Sequence, residues 1–285
     1  MQYKFLICPW QNEFIETISK TENELFISSP FVNLKGVKIL IDSIKEKSKV
    51  KITLLTNLTP QNIINESIDP RALLELYKHF AEINISSLSR LHAKVYLIDE
   101  KIGIITSANL TSGGLIHNFE YGVLIDNKNT VLNIKEDMSN YYSLGNILDE
   151  QVLKKISDKA KQLYKINKKR NVYLENSTIG KLLKEELETI EFELLKNRIK
   201  EGRTINAIFS DTILYLLKKK GELRTDELHP LIQAIHPDIC DDSIDRVING
   251  QHFGKKWKHL VRNAQQSLKK NGLIRLQENK WQIVI

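Results

Sequence analysis

Leu91-His92-Ala93-Lys94-Val95-Tyr96-Leu97-Ile98-Asp99, continued by Glu100-Lys101 and then Ile102-Gly103-Ile104-Ile105-Thr106-Ser107-Ala108-Asn109, reads as two β-strands joined by a tight turn. β-Branched and aromatic residues fill both runs, and the polar Asp99-Glu100-Lys101 divides them. Successive side chains of a strand alternate faces, so His92 and Lys94 project together while Ala93, Val95 and Leu97 face away. A second strand folded back at Asp99 brings Ser107 and Asn109, which also share a face, beside that pair. One titratable nitrogen, one fixed cation and two neutral hydrogen-bonding groups then occupy a single surface.

Working outward, the first half of the chain alternates short β-rich runs with helical patterns. Residues 25–28 and 50–58 read as strands, and Val37, Ile39, Leu40, Ile41 and Ile44 form an apolar helix face between them. Pro70 sits where a helix starts, with Asp69 as its N-cap, and Ala72, Leu73, Leu76 and Phe80 continue that helix on one face. Tyr121 opens a further strand over 121–125. This βαβα order predicts an α/β layer structure over residues 1–150. After Asp126 the pattern changes to long helices at 131–142, 151–164 and 179–199, broken by Lys168-Lys169-Arg170-Asn171 and Glu175-Asn176-Ser177-Thr178, and residues 151–204 read as a helical connector. From about Ile205 the order is helix, helix, a polar turn around Pro237 and Asp241, helix 256–270, Gly272 and two short strands, the order of a winged helix-turn-helix over 205–285.

At 285 residues, with 41% apolar and 27% charged side chains, the chain is of ordinary globular composition and long enough for two domains. Disorder, collagen and coiled coil are excluded, and no apolar stretch approaches the ~20 residues that span a bilayer. The N-terminal apolar run is too short for a signal peptide, and Cys8 and Cys240 stand far apart, which predicts a reducing, cytoplasmic setting and no zinc ribbon. Charge is unevenly placed. Residues 1–130 balance 14 basic against 14 acidic side chains, whereas residues 246–285 hold 9 against 1, so the net +7 of the whole chain is concentrated at its end. Arg246, Lys255, Lys256, Lys258, Arg262, Lys269, Lys270 and Arg275 lie in a stretch with no Asp or Glu, which attracts a polyanion such as DNA unless it only solvates a helix face. Within it Lys255, Lys256, Lys258, Arg262, Gln265 and Lys269 are the candidate DNA-binding residues, with Gln266 also available to a groove. Trp257 and Trp281 are more often core than base-stacking in a small domain, and solvation is the commoner role of His252 and His259.

The residues on the hairpin surface suit phosphodiester cleavage without a metal or cofactor. A neutral imidazole attacks phosphorus, Lys94 neutralises a non-bridging oxygen, and the Ser107 hydroxyl and Asn109 amide hold the developing charge. A carboxylate such as Glu120 is placed to bind the other ring nitrogen and fix its tautomer. Departure of an alkoxide needs a general acid, for which a second histidine is the natural donor. His79, His117, His229, His236, His252 and His259 all lack the His-x-Lys neighbour, so the second copy of the site has to come from another subunit. This predicts a two-fold homodimer with the active site at its interface. Gly113-Gly114, which follows Asn109-Leu110-Thr111-Ser112, reads as a turn rather than a phosphate cradle.

His92-x-Lys94-x4-Asp99, six residues, then Thr106-Ser107-x-Asn109, with Glu120 downstream and Ile27-Ser28-Ser29-Pro30-Phe31 upstream, resembles the HxK(x)4D(x)6GSxN signature of the phospholipase D superfamily. The resemblance covers roughly the first 150 residues and departs once, with Thr106 at the Gly of GSxN. It implies a phosphohistidine intermediate on His92, acid catalysis by the same residue of a second subunit, phosphate binding by Lys94 and Asn109, a structural Asp99, and no metal. A single motif followed by a basic C-terminal domain is similar to the restriction-endonuclease branch of that family, which implies a defence nuclease. Two alternatives stand beside it: the same chemistry on phospholipid, opposed by the neutral first domain and the lack of an amphipathic membrane helix, and a non-catalytic DNA-binding protein, opposed by the intact set of site residues.

Overall fold

The strand runs assemble into one eight-stranded mixed sheet, in a computed structural model that describes residues 3–168, 178–199 and 203–284. Its elements are β1 (Tyr3–Ile7), α1 (Gln11–Ile18), β2 (Glu24–Ser28), α2 (Leu34–Ser43), β3 (Lys51–Thr56), α3 (Pro60–Ile64), α4 (Pro70–His79), β4 (Glu82–Ser87), β5 (Val95–Ile98), β6 (Ile102–Thr106), β7 (Tyr121–Ile125), α5 (Lys128–Leu144), β8 (Asn146–Ile147), α6 (Glu150–Lys168) and α7 (Thr178–Arg198). The strand order is β1-β7-β6-β5-β2-β3-β4-β8. β2, β3 and β4 run parallel, and every other pairing is antiparallel. Strands buried on both faces are apolar throughout, as in the Leu25-Phe26-Ile27 stretch of β2 and the whole of β5. Helix starts follow local chemistry: Asn33, Thr59 and Asp69 each accept a bond from a first-turn amide, and Pro60 and Pro70 occupy the first helical positions.

Three sequence expectations shift. The strand read over 91–98 begins only at Val95, and residues 91–94 belong to no strand, although Lys94 O still accepts from Thr106 N at 3.1 Å. β1 and β4 add strands that the sequence reading did not place, and only Leu6 of the five β1 residues is buried. α6 is no free connector: Val152, Leu153, Ile156 and Ala160 are buried in the same core as Leu25, Ile27 and Leu54. The chain accordingly divides into two compact units at 197/198 rather than at 150 and 204. The polar breaks read at 168–171 and 175–178 fall largely outside the described residues. No helix among the described residues is long and apolar enough to cross a membrane.

The second unit, residues 198–285, contains α8 (Ile205–Lys220), β9 (Leu223–Arg224), α9 (Thr225–Ile235), β10 (Asp245–Ile248), β11 (Gln251–Lys255), α10 (Lys256–Lys270), β12 (Ile274–Gln277) and β13 (Lys280–Ile283). β12, β13 and β9 form a three-stranded antiparallel sheet. Phe209, Ile213, Leu228, Ile232, Trp257, Val261, Leu268 and Trp281 make its core, so both tryptophans are packing residues. The β10–β11 hairpin was not expected. Its turn, Asn249-Gly250, has φ of 51° and 80°, the left-handed pair that a two-residue hairpin turn requires.

A buried network fastens this unit internally. The His236 ring is fully buried, with Nε2 2.6 Å from Thr212 Oγ1 and Nδ1 against the Arg198 guanidinium, which also pairs with Asp238. Arginine only donates, so Nδ1 accepts and Nε2–H donates to Thr212, whose hydroxyl donates to Ile208 O at 2.8 Å. Burial, reinforced by the Arg198 and Arg203 charges, holds His236 well below the ordinary imidazole value. The unfolded chain therefore binds a proton that the folded unit refuses, and stability falls as pH drops below about 6.5. Thermal melts between pH 7.5 and 5 are expected to show this decline. In His236→Gln the slope is expected to shrink to what the half-buried His229, shifted down by burial in the same sense, contributes; an equal slope in the variant contradicts the assignment.

Candidate active site

Two tethers set the position of His92. At the far end of β5, the Asp99 carboxylate accepts backbone N–H bonds from Glu22 at 2.8 Å, Asn23 at 2.8 Å and Glu24 at 2.7 Å, so the β5–β6 turn is tied to the start of β2. Asp99 and Glu100 take left-handed φ of 49° and 56° there, and Lys101 N closes the turn on Ile98 O at 2.9 Å. At the near end, Ser28 Oγ donates to Ala93 O at 3.0 Å, between the histidine and the lysine. The Asp99 carboxylate is thus engaged by three backbone amides at the turn.

His92 is exposed and Lys94 is buried to 7%. The Lys94 ammonium donates to His92 O at 2.8 Å and lies 3.2 and 3.3 Å from the two ring nitrogens, so the two side chains meet through Lys94 folding back onto His92 rather than through strand alternation. Burial pushes the Lys94 ammonium below its ordinary value, partly opposed by the charge of Glu120.

The β6 exit supplies the remaining groups. Ser107 Oγ donates to Glu120 Oε2 in a very short contact and accepts from Tyr121 N at 3.1 Å, while Asn118 Nδ2 donates to Glu120 Oε1 at 3.1 Å. The expectation that Glu120 would hold the second ring nitrogen of His92 is corrected within this chain: both its oxygens are engaged by Ser107 and Asn118. Asn109 Oδ1 accepts from Phe31 N at 3.2 Å, and among the described residues its Nδ2 has no acceptor. Ser29 Oγ accepts from Leu110 N at 2.8 Å, and Tyr96 OH donates to Ala108 O at 3.2 Å, so residues 108–110 are held from β2 and β5 together. A Cβ on Gly114 would stand 2.4 Å from Asn109 O, so this glycine permits close backbone approach beneath Asn109. Sequence reading missed Asn118, Tyr96 and the separate tasks of Ser28 and Ser29; only the strand end 27–31 carried a signal for them.

Thr106, the departure from the motif, is accommodated by its neighbour. Its hydroxyl donates to Tyr121 O at 3.1 Å and accepts from Ala108 N at 3.2 Å, and opposite it stands Gly122, where a Cβ would lie 2.8 Å from Thr106 Cβ. The space given up at 106 is recovered at 122.

On α10, Trp257, Val261, Ala264, Gln265 and Leu268 are buried. Gln265 is 1% exposed and donates to Thr225 Oγ1 at 3.3 Å, so its assignment to a nucleic-acid groove is corrected: it packs inward. Lys256, Arg262 and Lys269 are exposed, Lys258 lies over the Trp257 ring at 5.5 Å, and Lys255 is paired with Asp245 at 2.8 Å.

Residues 14–142 match the family described as cardiolipin synthase, PLD-like domain. The DISARM protein DrmC of Bacillus paralicheniformis is 27% identical over 113 residues, 39% of this chain and 47% of that protein, so the chain spans about half the length of the curated relative it matches. Among solved structures, Nuc from Salmonella typhimurium, a phospholipase D family member, is 16% identical with a TM-score of 0.42, covering 52% of this chain and 97% of that one. NucT from Helicobacter pylori is 19% identical with a TM-score of 0.38, covering 47% and 91%.

Asp99→Ala is expected to cost about 2 kcal/mol of stability, since it strands three amides that a carboxylate now satisfies at a partly exposed corner. Denaturant unfolding read by circular dichroism checks this; an unchanged midpoint removes the tether from the account.

Proposed function

We propose that this chain, whose residues 14–142 form a PLD-like domain, is a metal-independent DNA endonuclease acting as a two-fold homodimer, with a restriction or defence role. The observation that carries the reading is exposed His92 held against buried Lys94 just before β5, with Ser28 bonded to Ala93 O between them and Asn109 bonded to Phe31 N beyond the end of the neighbouring β2. In the step proposed, an imidazole nitrogen of His92 forms a bond to phosphorus as the bond from phosphorus to the leaving oxygen breaks, and that oxygen takes a proton from the other subunit's copy of the histidine. Water then attacks the phosphohistidine, giving its proton to the histidine that served as acid, and releases a phosphate monoester and free imidazole. Lys94 and Asn109 Nδ2 meet the non-bridging oxygens.

Two features support the homodimer. The His-x-Lys pair occurs once in the chain, and the strands beside it carry an exposed apolar strip: Phe119 at 97% exposure, Tyr121, Ile105, Phe5 and Ile7. These residues adjoin through the registers Ile7↔Tyr121, Phe5↔Val123 and Ile105↔Val123. Such a patch marks an interaction surface. DNA as substrate is supported by the cations of α10 and by the unit that presents them, whose order of α8, β9, α9, α10, β12 and β13 resembles a winged helix with an added β10–β11 hairpin. The family description keeps phospholipid as the second reading.

Purified chain incubated with plasmid DNA in EDTA is expected to cleave it, and His92→Ala to abolish cleavage while leaving retention in a gel shift nearly intact. Lys258→Ala with Arg262→Ala is expected to weaken binding and lower its salt dependence. Hydrolysis of phosphatidylglycerol vesicles without cleavage of DNA overturns the substrate assignment, and loss of DNA binding in His92→Ala overturns the division of labour.

A further inference from the structure

We infer that Asn263 and Gln266 on α10 are the base-reading residues of this chain, each directed to an adenine edge of duplex DNA. The inference rests on the DNA-binding reading above and deepens it from affinity to sequence preference. With Trp257, Val261, Ala264, Gln265 and Leu268 turned inward, the outward stripe of the helix is Lys256, Arg262, Asn263, Gln266, Lys269 and Lys270. Four of these six are cations. The two that are not are amides three residues apart on one face.

Elimination narrows the reading positions further. His259 is consumed at the base of the β10–β11 hairpin: Nε2 lies 2.6 Å from Phe253 O and Nδ1 3.1 Å from Arg246 Nη1, so the ring donates to the carbonyl and accepts from the arginine. Lys258 lies over the Trp257 ring, and Gln265 is spent on Thr225. Asn263 and Gln266 have no hydrogen-bond partner among the described residues, so each keeps a free carbonyl and a free NH2.

That pair of groups is what an adenine presents to the major groove in reverse, an N7 acceptor beside an N6 donor, and Asn and Gln bind it bidentately. Three residues of helix advance about 4.5 Å along the axis, close to the base-pair rise of about 3.4 Å, so the two amides meet neighbouring base pairs. Arg262, Lys269 and Lys270 flank them, and the stretch from Arg246 to Gln277 holds no acidic residue, so the amides lie within a surface that draws in the phosphate backbone.

The test is selection from a randomised duplex library by the full chain carrying His92→Ala, which keeps the bound DNA uncut, followed by the same selection with Asn263→Ala, Gln266→Ala, Lys269→Ala and Gln265→Ala added singly. The parent is expected to enrich adenine at neighbouring positions. Asn263→Ala and Gln266→Ala are each expected to erase the preference at one of those positions, a loss of roughly ten- to hundred-fold in discrimination. Lys269→Ala is expected to weaken all sequences alike, and Gln265→Ala to lower the melting temperature with the preference intact. An unchanged preference in both amide variants, or a uniform loss of affinity, overturns the inference while leaving DNA binding standing. Retention of no duplex by the parent, at low salt as well, overturns the DNA reading and the inference with it.

Discussion

The geometry of the candidate site depends on a carboxylate that never approaches it. Asp99 gathers three amides from the start of β2, and Lys135 closes the same corner by bridging Glu24 and Glu100. Six residues lie between His92 and Asp99, a span of about 23 Å in extended chain, so the aspartate has no reach to a group held by the histidine. What it fixes is register: with the turn tied to β2, β5 pairs antiparallel to β2 with Leu25 opposite Ile98 and Ser28 opposite Val95. The lead-in, residues 91–94, precedes the strand with His92 exposed and Leu91 and Lys94 buried, and is steadied by Ser28 at Ala93 O and by Lys94 folding onto His92 O. An exposed histidine just before a central strand is thereby placed by bonds at both ends of that strand.

Much of this was legible in the sequence because the period of a strand is two and its hydrophobic pattern is sharp where one or both faces are buried. β2, β3, β5 and β6, the strands that carry or flank the motif, are of that kind, and the Asp69-Pro70 helix start is local chemistry. β1 was not legible because its alternating apolar residues Tyr3, Phe5 and Ile7 are the exposed ones and only Leu6 turns inward, so no core-facing pattern marks it. The β10–β11 hairpin had a signal in Asn249-Gly250, but Ile248 and the Phe253 of its strands are exposed and lack the core-facing pattern that normally accompanies that turn. On α10, one residue is 100° of rotation, enough to separate buried Gln265 from exposed Gln266. Glu120 failed for another reason: strand alternation gives a face but not a distance across the loop between β6 and β7, and in this chain the nearest donors to that carboxylate are Ser107 and Asn118.

The replacement of glycine by Thr106 illustrates how a motif position is held by volume rather than by identity. A glycine is useful at the β6 exit because the neighbouring strand passes close. Here the close approach is preserved with Gly122 supplying the space, and the threonine hydroxyl adds bonds to Tyr121 O and Ala108 N that a glycine lacks. The exit of β6 is more tightly bonded for the exchange, and Ser107 and Asn109, which follow immediately, keep their exposure.

The distribution of charge bears on how such a site would work on a polyanion. The first 130 residues are electrically balanced, and Lys94, against exposed His92, is buried with its ammonium held below its ordinary value by burial. A neutral surface gains little from counterion release, so it cannot by itself concentrate DNA. On the proposed nuclease reading, the excess charge in residues 246–285 supplies that concentration. Joining the two in one chain would convert capture by the basic unit into a high local concentration of phosphodiester at the proposed site, without asking that site to bind tightly. Weak ground-state binding there is an advantage, because interactions reserved for the charge that develops on phosphorus raise the rate, whereas uniform binding of the backbone does not.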